Sequence, residues 1–576
     1  MKSSDYIVQF LAEHGIRHAY GYQGTMIAHF ADSLGQSRLI KNHVCRSEQG
    51  AAFAAVGEAK ITGKPALAYS TSGPGAANLL NGVADAYFDS APVIFITGQL
   101  NTYEYLDLPG IRQHGFQQMD VVSIMRPITK YCVKVEREDD LRYVLERAFY
   151  TAVHGRPGPV VIDLPMNMQR MDVDPQQMRG FTPSEATGEQ PDRTGAAAAI
   201  VTAAERAEQP VLVLGSGLTR TDREITRKAV DKLGIPVLTS LPGRDILPAD
   251  HPLNFGFIGA AYGHRYANLI INKKADLIVA LGCSLCRRQT GMKTESFAAE
   301  ADIIRVDTDP VELQRKVHAD ETAFLTDCRS VVRELLNRPE HDLADRRWID
   351  KCRTIKERLE ALDAADPERA PNRTVELISR YTQDAAVVCC DVGQHQVWGA
   401  QSYRLGEGQR MLSSGGHGCM GFSLPAAIGA QAASGCPVIT LTGDGSLQMN
   451  IQELEWIRHE RLPITLFVLN NSTLGLIHQQ QNALFDGRYI ASTDAGGYSH
   501  PDFTAVAAAY GIHARAAADD AELEAILQEL DLSIPNLIDI KLSEDSNAFP
   551  KTCFGEPMHN QQPYMPKELM EELLAL

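Results

Sequence analysis

The sequence predicts an α/β protein made of three doubly wound, parallel-sheet domains. Two observations carry this. Short apolar strands alternate with helical stretches along most of the chain, and 576 residues exceed what one hydrophobic core supports. The expected segments are 1–168, 190–338 and 365–550, with a tail at 551–576. The first carries HAYGY, ALAYSTSGPG, VIFITGQ and VVIDLP. A polar, Pro- and Gly-rich tract (QRMDVDPQQMRGFTPSEATGEQPDR) then reads as a linker.

The second segment holds VLVLGSG, VLTSLPG, LIVALG and IIRVDTDP. Its GSGLTR (215–220) follows a strand but lacks the third glycine of a dinucleotide fingerprint. The charged stretch after Arg338 reads as a helical connector. In the third segment VITLT (438–442), a helical stretch over Asn450 to Glu460 and ITLFVLN (464–470) form a βαβ unit with parallel strands. Asp444 and Asn471 therefore emerge at one carboxyl edge, where open α/β sheets bind ligands. A carboxylate, an amide oxygen and nearby carbonyls suit Mg²⁺, whose shell phosphates usually complete. The GDG turn alone is common and identifies nothing.

The net charge of −17 argues against nucleic acid or an anionic membrane surface as a partner. No apolar run reaches the roughly 18–20 residues that span a bilayer. MKSSDYIVQFLAEHG has acidic residues within its apolar stretch and reads as an amphipathic helix rather than a signal peptide, so a cytoplasmic location is expected. The eleven cysteines are scattered, and the CxxC pair Cys283–Cys286 has no second pair to complete a zinc site. They read as reduced thiols.

Glu48 opens a helix rich in small residues, and SGPGAAN (72–78) is a glycine turn whose N–H groups can face a ligand. Together with GDG and the Asn pair, these residues resemble the thiamine diphosphate enzymes along essentially the whole chain. GFQQMDVVSIMRPITKY, GRPGPVVIDLP, DVGQHQVWGAQ, SSGGHGCMGFSLPAAIGAQ and GDGSLQMNIQELEW bring the likeness closest to acetolactate synthases. The resemblance implies pyrimidine-binding, central and diphosphate-binding domains, in that order. It implies that Asp444, Asn471 and the Thr473 carbonyl hold Mg²⁺, and that Gly393, Gln394, His395, Gly445 and Ser446 receive the diphosphate. Glu48 would bond the aminopyrimidine and promote ylide formation. Met420 would wedge the cofactor into its bent shape, Gly418 would offer a carbonyl, and Phe116 and Gln117 would line the reacting centre. Further implications are pyruvate as donor, a second carbonyl acceptor, and sites shared between two chains of a dimer or tetramer. A non-redox FAD would contact Arg156, Gly215 and Asp307.

The chain departs from that family pattern mainly on the acceptor side. Gln23 and Thr25 replace a proline and a glycine, Met166 a lysine, Gln480 a tryptophan, His417 an apolar residue and Leu476 a methionine beside the cofactor. Only Arg288 survives of another motif. An amide in place of an apolar wall favours a hydroxylated acceptor. Two-carbon branching of a keto-deoxysugar nucleotide is therefore an alternative to acetolactate formation, as is simple 2-oxo acid decarboxylation.

Overall fold

The computed structural model describes residues 1–183, 192–218, 222–553 and 555–576. Part of the expected linker (184–191) and the TR of GSGLTR (219–220) lie outside these. Three six-stranded sheets, parallel throughout, follow one another. The first comprises β1 (His18–Gly21), β2 (Lys41–Val44), β3 (Ala66–Ser70), β4 (Val93–Gln99), β5 (Tyr131–Lys134) and β6 (Val160–Pro165), in the order 2-1-3-4-6-5. The second holds β7 (Pro210–Leu214), β8 (Val237–Thr239), β9 (Asn254–Phe257), β10 (Leu277–Leu281), β11 (Asp302–Asp307) and β12 (Thr322–Leu325), in the order 12-11-10-7-8-9. The third holds β13 (Val387–Cys390), β14 (Arg410–Ser413), β15 (Val438–Gly443), β16 (Ile464–Asn470), β17 (His513–Ala517) and β18 (Asn536–Lys541), in the order 14-13-15-16-18-17.

The first and third sheets turn back at their β6–β5 and β18–β17 edges, and strand order also reverses inside each sheet, between β1 and β3, between β7 and β10, and between β13 and β15. Diverging connections there open a crevice at the carboxyl ends. The three crevices receive the turns at 22–25 and 71–75, at 215–217 and 282–286, and at 391–395 and 443–445. These are the motif-bearing turns of the sequence.

The first and third domains are locked by the helices Glu48–Thr62 and Ser423–Ser434. A Cβ on Gly429 would run into the Ala54 carbonyl, and one on Gly57 into that of Ala426, so the backbones cross in direct contact. The connector forms a helix, Arg346–Ala364, whose Trp348, Cys352, Ile355 and Leu359 join the central core. The tail packs on the same core through Met558 and Leu573, and its Gln561 carbonyl accepts from the buried Arg265. Among the described residues no helix is long and apolar enough to cross a membrane.

Candidate active site

Residues Gly443 of β15 and Leu469 of β16 are register partners, so Asp444 and Asn471 leave neighbouring strands at one edge. Both are buried. The Asn471 amide nitrogen donates to Gln394 Oε1 at 2.9 Å, which leaves its oxygen as the atom presented to a cation. The Gln394 nitrogen is committed to the Ser546 carbonyl (2.8 Å), so this side chain orients Asn471. Ser472 turns the chain at φ +56, and the buried Thr473 hydroxyl has no protein partner. Burial also strands His395 Nε2 and pushes the imidazole pKa down to about 3, so the ring is neutral. Burial raises the Asp444 carboxyl, and the Tyr498 hydroxyl, donating at 2.5 Å, opposes it.

Glycines make the cradle. A Cβ on Gly443 would sit 2.7 Å from His395 Nδ1, and one on Gly445 would sit 2.6 Å from Leu474 and 3.5 Å from Met420 Cε. Gly393 precedes the helix Gln394–Ser402, whose first N–H groups open on the same crevice. Ser446 spends its hydroxyl on the Val392 carbonyl (2.9 Å). Among the described residues no group of three His, Cys, Asp or Glu is arranged to hold a metal alone. One carboxylate, one amide oxygen and a carbonyl suit a hard cation that takes its remaining ligands from a diphosphate. The donor set, cradle and unpartnered buried atoms fit that pair.

The loop carrying Gly418 and Met420 is pinned from below. Asp391 accepts from the backbone N–H groups of Val392, Gly421 and Ser423 and from the Ser423 hydroxyl. Ser414 Oγ accepts from Gly418 N and Cys419 N, both at 2.9 Å. Asn450 Nδ2 donates to the Gly421 carbonyl at 2.8 Å. That bond takes Asn450 out of the helix expected over 450–460; the segment is instead a 3₁₀ turn, Ile451–Glu453, followed by the helix Leu454–Glu460.

A second cluster forms in the first domain. Ser47 caps the helix that Glu48 begins, and Asn78 Nδ2 donates to Glu48 Oε2 at 2.9 Å. A Cβ on Gly75 would lie 3.2 Å from Glu48 Oε1, and one on Gly73, at φ +56, would lie 2.5 Å from the Gln117 carbonyl. Gln117 itself has φ +60, and Phe116 is 78% exposed. The Gln23–Thr25 turn joins this cluster through Met26 N, which donates to Thr71 Oγ1 at 3.3 Å. Met166 begins the helix Met166–Arg170, whose Gln169 bonds the Met26 carbonyl. Among the described residues no hydrogen bond joins Glu48 or Gln117 to Asp444, Asn471 or the Gly393–His395 turn. Beneath Glu48 lies Glu453 of the third domain, fully buried, which accepts from Arg46 N (3.0 Å) and Ser47 Oγ (3.1 Å) and is pushed by burial up to about 7.

The central crevice opens on a cavity of about 240 Å³ lined by Arg156, Ser216, Gly282, Arg288, Gln396 and Met411. Arg156 donates to Ser90 Oγ (2.8 Å) and Asp309 (3.1 Å). Gly215 packs on the Gly282 carbonyl too tightly for any Cβ, and Asp307 sits behind, accepting from Asp309 N. Arg288 reaches the Gly415 carbonyl (2.7 Å), and the exposed His417 stacks on Phe88. Leu476 and the exposed Gln480 share the helix Gly475–Phe485 of the third domain, whereas Gln23 and Thr25 belong to the turn after β1 in the first. Sequence reasoning missed Asn78, Asp391, Glu453 and Tyr498. Asp391 and Glu453 lie inside recognised motifs, whereas Tyr498 follows a Gly- and Asp-rich loop without any signal.

Comparison with known proteins decides the family. Residues 1–124 match the thiamine pyrophosphate enzyme N-terminal TPP binding domain, 197–335 its central domain and 391–540 its C-terminal TPP binding domain. The chain is 36% identical to the acetolactate synthase isozyme 1 large subunit of Escherichia coli K12, over 95% of each chain. It is 34% identical to acetolactate synthase 1 of Zea mays, covering 96% of this chain and 87% of that one. The identity is also 34% to the probable acetolactate synthase large subunit of Methanocaldococcus jannaschii, over 97% and 95% of the two chains. The chain belongs to the acetolactate synthase family of thiamine pyrophosphate enzymes. For a member of this family the crevice between β13 and β15 falls within the matched C-terminal TPP binding domain, and Glu48 within the N-terminal one.

Proposed function

We propose that this thiamine diphosphate enzyme decarboxylates pyruvate and transfers the remaining two-carbon unit to a second carbonyl compound, with acetolactate as product. The observation carrying the site is the meeting of Asp444 and Asn471 beside a glycine cradle with unpartnered buried polar atoms. Thiamine diphosphate, when bound, supplies the carbon nucleophile and the electron sink for loss of CO₂. The protein's residues position and exchange protons. Asp444, Asn471 and the Thr473 carbonyl would hold Mg²⁺; Gly393, His395 and Gly445 would line the diphosphate, with Gln394 acting through Asn471 and Ser446 offering its backbone N–H, since its hydroxyl is taken by Val392. Glu48 holds and returns a proton at Oε1 while Asn78 engages Oε2. Met420 and Gly418 support the cofactor from a loop that Asp391 and Ser414 keep still.

Glu48 bonds Asn78, whereas Asn471 and Asp444 bond Gln394 and Tyr498, and the proposed assembly is a homodimer or tetramer in which each site draws on two copies. Arg156, Ser216 and Gly282 around the central cavity support a bound, non-redox FAD. The relatives favour acetolactate over a branched sugar nucleotide or a released aldehyde, the alternatives raised by Gln23, Thr25 and Gln480.

Labelled pyruvate with thiamine diphosphate and Mg²⁺ tests the reading by product analysis. Acetolactate supports it. Aldehyde alone refutes the ligation step, and an acetyl-sized mass gain on an added keto-deoxysugar nucleotide redirects the acceptor. Flavin absorption and light scattering of the purified protein check FAD and assembly.

A further inference from the structure

We propose that the loop ending at Tyr498–His500 is a latch that holds the cation donors in their binding pose and so sets the affinity for Mg²⁺. The inference rests on Asp444 and Asn471 being the cation site. Three consecutive residues of the latch grip both donor-bearing segments. The Tyr498 hydroxyl donates to Asp444 Oδ2 at 2.5 Å, which engages one carboxylate oxygen and leaves the other as the ligand atom. The Ser499 carbonyl accepts from Gln448 at the end of the short helix that Asp444 begins (3.4 Å).

His500 reaches the other segment. Its Nδ1 lies 2.8 Å from the Pro501 carbonyl, which can only accept, so Nδ1 carries the proton. Nε2 pairs with the Ser472 hydroxyl at 3.0 Å, accepting from it when the ring is neutral. Ser472 is the left-handed residue between Asn471 and Thr473, so its backbone angle governs how those two oxygens are presented. The His500 ring lies parallel to Phe503 at 5.4 Å, which anchors the latch to the following helix. Partners that orient a metal-binding carboxylate typically change metal affinity ~10–100-fold when removed.

Isothermal titration of thiamine diphosphate into the full chain at graded Mg²⁺ concentrations tests this. Tyr498→Phe is expected to raise the Mg²⁺ midpoint by roughly 10–100-fold, with cofactor affinity recovered at saturating Mg²⁺ and the melting temperature unchanged. Ser472→Ala should shift it in the same direction by less, and it decides the matter if Tyr498→Phe does not fold. Wild-type midpoints in the folded variants overturn the latch. Asp444→Ala separates the two levels, because it should abolish Mg²⁺-dependent binding altogether. If it does not, the cation site is wrong and the latch falls with it. If Asp444→Ala is dead and Tyr498→Phe is wild-type, only the latch fails.

Discussion

Asp391→Asn probes how the cofactor loop is held, and its cost can be worked from four hydrogen bonds. Oδ1 accepts from Val392 N and Gly421 N, both at 2.8 Å, and Oδ2 from Ser423 N at 2.9 Å and Ser423 Oγ at 2.7 Å. Burial raises this carboxyl, yet four donors and no acceptor surround it, so the ionised form is the one the site fits. Asparagine replaces one oxygen with an NH₂. Turned toward Val392 and Gly421, that group orphans two buried N–H donors at about 1–3 kcal/mol each. Turned toward Ser423, it orphans only one, since the hydroxyl can rotate to accept. The cheaper orientation prevails, so the expected loss is about 1–3 kcal/mol. Urea unfolding at constant slope measures it, and thiamine diphosphate titration should show weaker binding because Gly421 adjoins Met420. A loss below about 0.5 kcal/mol with unchanged cofactor affinity would show that these donors do not depend on the charge.

Three further outcomes are expected. Glu48→Gln should lower kcat by roughly 10²–10⁴-fold while calorimetry still detects bound cofactor, since only proton exchange is lost. Gln480→Trp replaces an amide with an apolar wall and should shift acceptor preference from hydroxylated to apolar 2-oxo acids, read from competing product yields. The third concerns the ion pair between domains, where Glu460 meets His43 at 2.9 Å and Lys41 at 2.5 Å. Burial would raise Glu460, but the His43 bond and charge, Lys41 and Trp456 outweigh it and hold the carboxyl at about 2, below its ordinary 4.5. A depressed acid stabilises the fold above its unfolded pKa. This contribution should be intact above about 4.5 and disappear as the pH falls toward 2, and Glu460→Gln should flatten that part of the melting curve.

Strand identity, parallel pairing, the carboxyl-edge position of Asp444 and Asn471 and the helix that Glu48 opens were legible in the sequence. Each follows from apolar or small-residue periodicity and from where it stops, a signal confined to a few neighbouring residues. The split at Asn450 was not, because its amide serves Gly421, and Glu453 serves Arg46 and Ser47 in another domain. Nor did periodicity reveal that the tail seals the central core, since Met558 and Leu573 find their packing partners far along the chain. By itself, the sequence determined the elements, the sheet class and the residue types gathered at the edges. Only the tertiary structure decided between which strands each sheet reverses, and that Asn78, Asp391 and Tyr498 are what bond Glu48, the Met420 loop and Asp444. A hydrogen bond forms wherever folding brings donor and acceptor together, and no local pattern records which distant partner that will be.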